Sequence, residues 1–200
     1  LLLAYHFPPT AGPGVQRSLK FARYLPAAGW GSTVVTGPGT AVDRWTPLDP
    51  SLAAELPPAT EIHRIAAPPP APSGGAIARG QRWLGAPGPF DAWWSAHALD
   101  AALRAGAGTD VVYASLAPYS TAAAAGRVAE RLGLPWVADL RDPWALDEMR
   151  AYPSAAHRRL DRARMVRDLR TAAAIVMNTP EAARALRRHV PELRAARVEV

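Results

Sequence analysis

Two segments of this chain carry residue types that could do chemistry at a ligand. The first runs Tyr5-His6-Phe7-Pro8-Pro9-Thr10-Ala11-Gly12-Pro13-Gly14-Val15-Gln16-Arg17, the second Asp139-Leu140-Arg141-Asp142-Pro143-Trp144. Gly12 and Gly14 lack a Cβ, so the backbone around Pro13 can approach an anionic group closely. Free amides at the start of the helix opening near Val15 would then point at that anion. Arg17, one turn into the helix, is a candidate charge partner. Asp139, Arg141 and Asp142 supply carboxylates and a guanidinium suited to sugar-like hydroxyls, with Ser115, Tyr119 and Ser120 as further polar neighbours. Each feature also has a plainer use. The glycine segment can be a tight turn without a ligand, Asp139 and Arg141 can brace their own loop over Pro143 and Trp144, and His6 can be a hydrogen-bonded structural histidine.

Several chemistries are excluded by spacing. A dinucleotide fingerprint needs a third glycine where Arg17 stands, and an acidic residue closing the second strand, where Thr36-Gly37 stands. No Gly-Lys-Ser/Thr follows the glycines, so this is not a Walker phosphate loop. No Gly-x-Ser-x-Gly elbow is present, which disfavours an esterase. The chain has no Cys, and His63, His97, His157 and His189 show no ligand spacing, so no metal site is read.

For the two segments to face one ligand, each must lie just beyond the carboxyl end of a parallel strand in an open α/β sheet. The patterning supplies such elements. Leu1 to His6 reads as a first strand and Val15 to Ala28 as a first helix ended by Pro26 and Gly29. Strands follow at Ser32 to Thr36 and, more weakly, at Glu61 to Ile65. From residue 95 the alternation is regular: a helix to Ala105, strand Asp110 to Ala114, helix Ser120 to Leu132, strand Trp136 to Asp139, a basic helix from Ser154 to Ala172, strand Ala174 to Met177 and a helix from Pro180 to His189. Thr179 is a natural N-cap for the last helix. Alternation of this kind predicts an α/β fold with an open parallel sheet covered by helices on both faces. Residues 66 to 89, rich in Pro and containing Ser73-Gly74-Gly75, read as a surface loop. Arg197 to Val200 looks like the start of another strand, so the chain reads as a fragment of a longer protein.

At 200 residues and 49% hydrophobic content the chain can build one domain with a substantial core. No apolar run is long enough to cross a membrane as a helix. The lack of Cys fits a cytoplasmic protein. The formal charge of +6 comes from 23 basic residues, all Arg except Lys20, and biases partners toward anions such as nucleotides and acidic lipid surfaces. Much of that charge lies in the segment His157 to Arg170. There Leu160, Ala163, Val166 and Leu169 recur at helical spacing and are expected to face the sheet, leaving Arg158, Arg159 and Arg162 for solvent or an anionic membrane. No nucleic-acid recognition motif is present, and no nucleic-acid partner is expected.

The two segments, with Lys20 to Pro26, Gly29-Trp30, Val34 to Thr36, Phe90 to Trp93, Val112 to Ser115 and Gly133 to Trp144, resemble the amino-terminal domain of family 4-like glycosyltransferases. The Pro-rich stretch between Leu56 and Pro89 lies outside the resemblance. It implies a Rossmann-like domain spanning residues 1 to 200, the amino-terminal half of a two-domain GT-B fold, inactive alone for want of the carboxy-terminal donor-binding domain. It further implies sugar transfer from a nucleotide-sugar donor to an acceptor hydroxyl, with retention of configuration, in glycan or glycoconjugate biosynthesis. No cofactor or obligatory metal is implied. Gly12, Pro13, Gly14 and Arg17 would then form the donor-phosphate loop. Asp139, Arg141 and Asp142 would be the catalytic group, and His6, Ser115, Tyr119, Ser120 and Trp144 would bind a sugar or lipid-linked acceptor. A location at the inner face of the membrane, held peripherally, fits that acceptor class. The competing reading is a non-catalytic Rossmann-like module that binds a nucleotide or other ligand.

Overall fold

In the computed structural model, which describes residues 1–40, 46–71, 83 and 87–200, seven short strands pair into one sheet, largely apolar except at its two edges. The strands are β1 (Leu2–Leu3), β2 (Thr33–Thr36), β3 (Glu61–Arg64), β4 (Val112–Ser115), β5 (Trp136–Leu140), β6 (Ala174–Met177) and β7 (Arg197–Glu199). They lie in the order β3-β2-β1-β4-β5-β6-β7, and every pairing is parallel. The chain builds outward from β1 to β3, then returns to lay β4 on the other side of β1. That reversal is the switch point at which open α/β sheets bind ligands.

The helices are α1 (Pro13–Tyr24), α2 (Pro89–Ala105), α3 (Thr121–Leu132), α4 (Ala155–Leu169) and α5 (Pro180–His189). α1 packs Ala22 with Leu2, Ala4, Phe7 and Val34 on one face of the sheet. On the other face Trp94 and Ala98 of α2, Ala125 and Val128 of α3, Met165 and Leu169 of α4 and Leu186 of α5 join Leu3, Ala114, Trp136, Ala138 and Ile175. The result is a Rossmann-like α/β domain with helices on both faces, as the alternation of elements predicts.

Several boundaries differ from the sequence reading, each for a local reason. α1 opens at Pro13, because a proline at the first helical position loses no intrahelical bond. It closes at Tyr24, and a 3-10 turn over Leu25–Ala28 carries the chain to Gly29, whose φ of 80° lets it cap the turn. α2 begins at Pro89, six residues before the expected start, since Asp91 Oδ2 accepts the Gly88 N–H and caps the helix. Phe90, Trp93 and Trp94 are therefore helical. Asp139 lies inside β5 and Ser115 inside β4, rather than beyond them. Ser120 precedes α3, and α4 runs from Ala155 to Leu169, with Ser154 at its N-cap. Much of the Pro-rich stretch 66 to 89 falls outside the described residues.

The buried face of α4 also differs. Leu160 is 49% exposed, while Met165, Asp168 and Leu169 are buried. Asp161 and Arg164, which share that face, find polar partners there, so a stripe of polar residues competes successfully with the apolar one. Arg162 does not face outward freely: it bonds Glu192 with both terminal nitrogens and donates to the His189 carbonyl.

The end of β2 is pressed against the end of β1. Gly37 N–H donates to the Tyr5 carbonyl at 3.2 Å, and a Cβ on Gly37 would lie 2.7 Å from Tyr5 Cε2 and 3.0 Å from the Tyr5 carbonyl oxygen. Since Tyr5 precedes His6, this contact helps fix the entrance to the first loop. Gly37→Ala should destabilise the domain by about 2 kcal/mol, as overpacking does, and urea unfolding would measure it. Unchanged stability would mean that the Tyr5 ring moves aside at little cost.

Candidate functional site

The loop between β1 and α1 is held from several sides before any ligand arrives. Phe7 is wholly buried beneath it. Thr10 donates its N–H and its hydroxyl to the Phe7 carbonyl, and Ala11 and Asp49 N–H groups tie the loop to residues 47 to 49. Arg64 donates to the Pro8 carbonyl from the end of β3. Gly12 sits at φ 106°, a backbone conformation that favours glycine, and turns the chain into α1. The Val15 amide is committed, donating to the Gly12 carbonyl at 3.1 Å, so it is not among the amides left for an anion. Gly14 occupies the second helical position, where a helix supplies no acceptor of its own.

Two arginines connect this loop to β5 across the switch point. Arg17, on α1, donates to Asp139 Oδ1 in an ion pair. Arg141, just past β5, donates to the Pro13 carbonyl. A Cβ on Gly14 would lie 3.2 Å from His6 Cγ and 3.3 Å from Arg141 Nη1, so glycine lets these three residues meet. The structure thus brings together His6, Gly12, Pro13, Gly14, Arg17, Asp139 and Arg141.

Asp139 is fully buried, and its Oδ2 has no hydrogen-bond partner among the described residues. The Tyr113 hydroxyl lies near enough to be felt electrostatically, yet it too lacks a partner of normal geometry. Burial pushes the Asp139 carboxyl above its ordinary range, and Arg17 and Tyr113 pull it back only in part. Burial, helped by the Asp139 charge, raises the Tyr113 hydroxyl well above that of a free tyrosine. Tyr113 is a residue that sequence reasoning missed. Its only signal is a polar tip on the same strand face as Ser115.

The far wall of the crevice is aromatic. Tyr119 stacks on Trp144 with ring centroids 4.4 Å apart and planes within 6° of parallel. Trp144 is buried, so a molecule in the crevice would meet Tyr119 and not the indole. Burial, with the Asp142 charge second, pushes the Tyr119 hydroxyl up to about 12. Asp142 is exposed beside it. Ser115 and Ser120 are both buried, and the Ser120 hydroxyl has no partner among the described residues. Arg150, Tyr152 and Asp161, none of them expected, complete this wall.

No three His, Asp or Glu side chains cluster for a metal ion among the described residues. Two cavities lie elsewhere. A groove of about 980 Å³ runs between α2, α3 and α4, and a hollow of about 540 Å³ opens beside Phe21 and Trp30. Neither is lined by Gly12, Gly14, Arg141, Asp142 or Tyr119. The residues able to do chemistry gather at the switch point instead, where the strand order leaves a crevice.

A family model described as "Glycosyl transferase 4-like domain" matches residues 13–200. Among solved structures, the chain is similar to Phytolacca americana UGT2 complexed with UDP-2fluoro-glucose and pterostilbene. The TM-score is 0.52 at 16% sequence identity, over 98% of this chain and 52% of that one. It is also similar to Anabaena HepE in complex with UDP and glucose, with a TM-score of 0.46 at 14% identity, over 98% of this chain and 43% of that one. The chain therefore spans about half the length of these structures. No curated protein sequence matches it.

Replacing Arg17 by Met would leave the Asp139 carboxylate buried without a cation in contact. Breaking a buried ion pair in this way should cost about 3 kcal/mol at neutral pH. Burial already holds the folded-state Asp139 value above the unfolded one, and loss of Arg17 widens the gap. A carboxyl raised in the folded state contributes stability below its unfolded value and loses it as pH rises through the folded one. The deficit of Arg17→Met against wild type should therefore shrink in urea titrations as pH falls from neutral toward the ordinary carboxylate range. A deficit that does not change with pH would show that Asp139 does not rely on the Arg17 charge.

Proposed function

The chain belongs to the glycosyl transferase 4-like domain family, and on that premise we propose that it forms the acceptor-side half of a sugar-transferring enzyme. The donor is a nucleotide sugar, the acceptor group a hydroxyl, and transfer retains configuration without an obligatory metal. The observation that carries this reading is the pinning of the glycine loop to β5 by two arginines in different states of commitment. The Arg17 charge is matched by Asp139. Arg141 hydrogen-bonds a carbonyl and acts on Asp139 only as the weakest of its charge contacts, so most of its charge remains available. The proposed donor-diphosphate contact is therefore the Gly14 amide with Arg141, while Arg17 holds the loop through Asp139. On the acceptor side Asp142 and the Tyr119 hydroxyl orient the incoming hydroxyl, and His6 stands between the two. The similarity to a structure holding UDP-2fluoro-glucose supports a sugar-nucleotide donor.

A panel of nucleotide sugars offered to the full-length protein tests the reading. Transfer or slow donor hydrolysis supports it, whereas UDP binding without turnover of any donor favours the non-catalytic module. In an active protein, Gly14→Val would push His6 and Arg141 apart and remove the close backbone approach. The expected loss is about 2 kcal/mol of transition-state stabilisation, roughly thirtyfold in kcat/KM, with the fold retained. An unchanged kcat/KM would return the loop to a simple turn.

A lipid-linked acceptor, and with it peripheral contact with an anionic membrane at the cytoplasmic face, is the finer part of the proposal. No described helix is long and apolar enough to cross a membrane. The start of α4 nevertheless carries exposed Arg158 and Arg159 beside Leu160. Trp83, 67% exposed, packs edge-on against His157 one turn earlier, and Met149, 91% exposed, precedes Arg150, which pairs with Asp161. Apolar side chains ringed by arginines suit an anionic interface. Each such arginine is worth about 1 kcal/mol near the surface. Arg158→Glu with Arg159→Glu should therefore abolish cosedimentation with phosphatidylglycerol vesicles at low salt, while neutral vesicles should bind neither form. Equal binding to both vesicle types would leave this face as a solvated one.

A further inference from the structure

The connection from β5 to α4, residues 141–154, contains only one short 3-10 turn, Trp144–Leu146. Turn bonds at Leu146, Asp147, Met149 and Arg150 shape its middle, but its placement against the sheet needs contacts from outside it. Asp161, in the second turn of α4, supplies them. Its Oδ1 accepts the Trp144 indole N–H at 3.3 Å, its Oδ2 accepts the Tyr152 hydroxyl at 2.7 Å, and Arg150 Nη1 lies 3.2 Å from the same oxygen. Three donors from three points of the connection converge on one carboxylate, whose side chain is 14% exposed. Burial and the bond to Asp161 both raise the Tyr152 hydroxyl, as expected for a phenol donating to a sheltered carboxylate.

The same residues hold Tyr119 from outside. Trp144 stacks against its ring. The Arg150 guanidinium lies 5.7 Å from the Tyr119 ring centroid and 5.4 Å from that of Tyr152. Trp144 has φ 50°, a left-handed backbone that a bulky residue adopts only when its surroundings over-determine it. The Asp161 bond to its indole is one of those determinants.

We infer that Asp161 is a positioning residue of the crevice: without touching a substrate, it sets through Trp144 and Arg150 the orientation in which Tyr119 is presented. The consequence for an acceptor rests on the proposed role of Tyr119, but the hold on the connection does not. Asp161→Asn keeps the volume and one acceptor oxygen and loses the charge that pairs Arg150. Tyr152→Phe removes a single donor.

In the full-length protein, hydrogen exchange over residues 142–153 should accelerate about tenfold in Asp161→Asn, with β4 to β6 unchanged, as expected of local release and not global unfolding. The ring-current-shifted NMR signals of Tyr119, identified by their absence in Tyr119→Phe, should move toward free-tyrosine positions. UDP affinity by calorimetry should stay within about twofold, because the glycine loop is held separately by Arg17 and Arg141. Asp161→Glu should recover part of both changes. Unaltered exchange and Tyr119 signals would overturn the inference. So would faster exchange throughout the sheet with UDP affinity lost, which would make Asp161 a general stabiliser. If Asp161→Asn does not fold, Tyr152→Phe supplies the same comparison with a smaller change. Neither exchange nor NMR requires turnover, so a protein that transfers no sugar would sink the glycosyl-transfer reading and leave Asp161 still to be judged.

Discussion

The Arg17–Asp139 ion pair is the contact on which the crevice depends. Asp139 sits in the middle strands of the sheet with no exposure, on the face that α1 covers. A buried carboxylate there is costly unless a cation reaches it. Arg17 reaches it only if α1 lies at a particular height over β4 and β5, which fixes where α1 begins. The position of Gly12 and Gly14 follows, and with it the approach of the Pro13 carbonyl to Arg141. A single electrostatic requirement inside the sheet thus determines the geometry of a loop on its edge.

The two faces of the sheet are covered unequally, and this explains why the requirement falls on Asp139. Trp136, Ala138, Leu140, Ile175 and Met177 are buried under α3, α4 and α5, whereas Val137, Ala174 and Val176 on the opposite face are only half-buried. Apolar residues tolerate that thin cover. A carboxylate on the same face needs Arg17 above it and Tyr113 beside it to be shut away from water. Its pairing is therefore tighter than that of the solvated pairs on the helix surfaces, such as Arg104 with Asp100, which contribute little.

Most of the fold was legible in the chain because strand and helix periods alternate and every strand but the edge strands β3 and β7 is largely apolar. β6 and α5 fall at the expected residues, since Thr179 and Pro180 mark a helix start by a local mechanism that needs no tertiary information. The misplaced start of α2 shows the limit of such cues: Pro89 reads as loop in a Pro-rich context and as a first helical residue once Asp91 caps it. The buried face of α4 is not legible in the sequence because the apolar stripe through Leu160 is as regular as the one that is buried. What decided between them was Asp161, whose partners Trp144, Arg150 and Tyr152 come from another segment and carry no periodic signal. At the site, the pairing of the two chemistry-bearing segments followed from topology, and their contact through Arg141 and Pro13 agrees with it. Which arginine meets which partner was not legible, because Asp139 and Arg141 are two residues apart on an element whose exact end decides their orientation.

That orientation divides the labour between the two arginines. Alternation along β5 turns Asp139 into the sheet beneath α1, and the strand ends before Arg141, which is free to cross toward the glycine loop. An arginine matched by a buried carboxylate contributes little field to an anion a few ångströms away. An arginine bonded to a neutral carbonyl contributes nearly its whole charge. The loop side of the crevice is thus positive through Arg141 and the start of α1, while the opposite wall, with Asp142 exposed, Tyr119 above Trp144 and Arg150 over the Tyr119 ring, is aromatic and of mixed charge. A site with one cationic wall and one aromatic wall of mixed charge can tell an anionic group from a neutral, hydroxyl-bearing one.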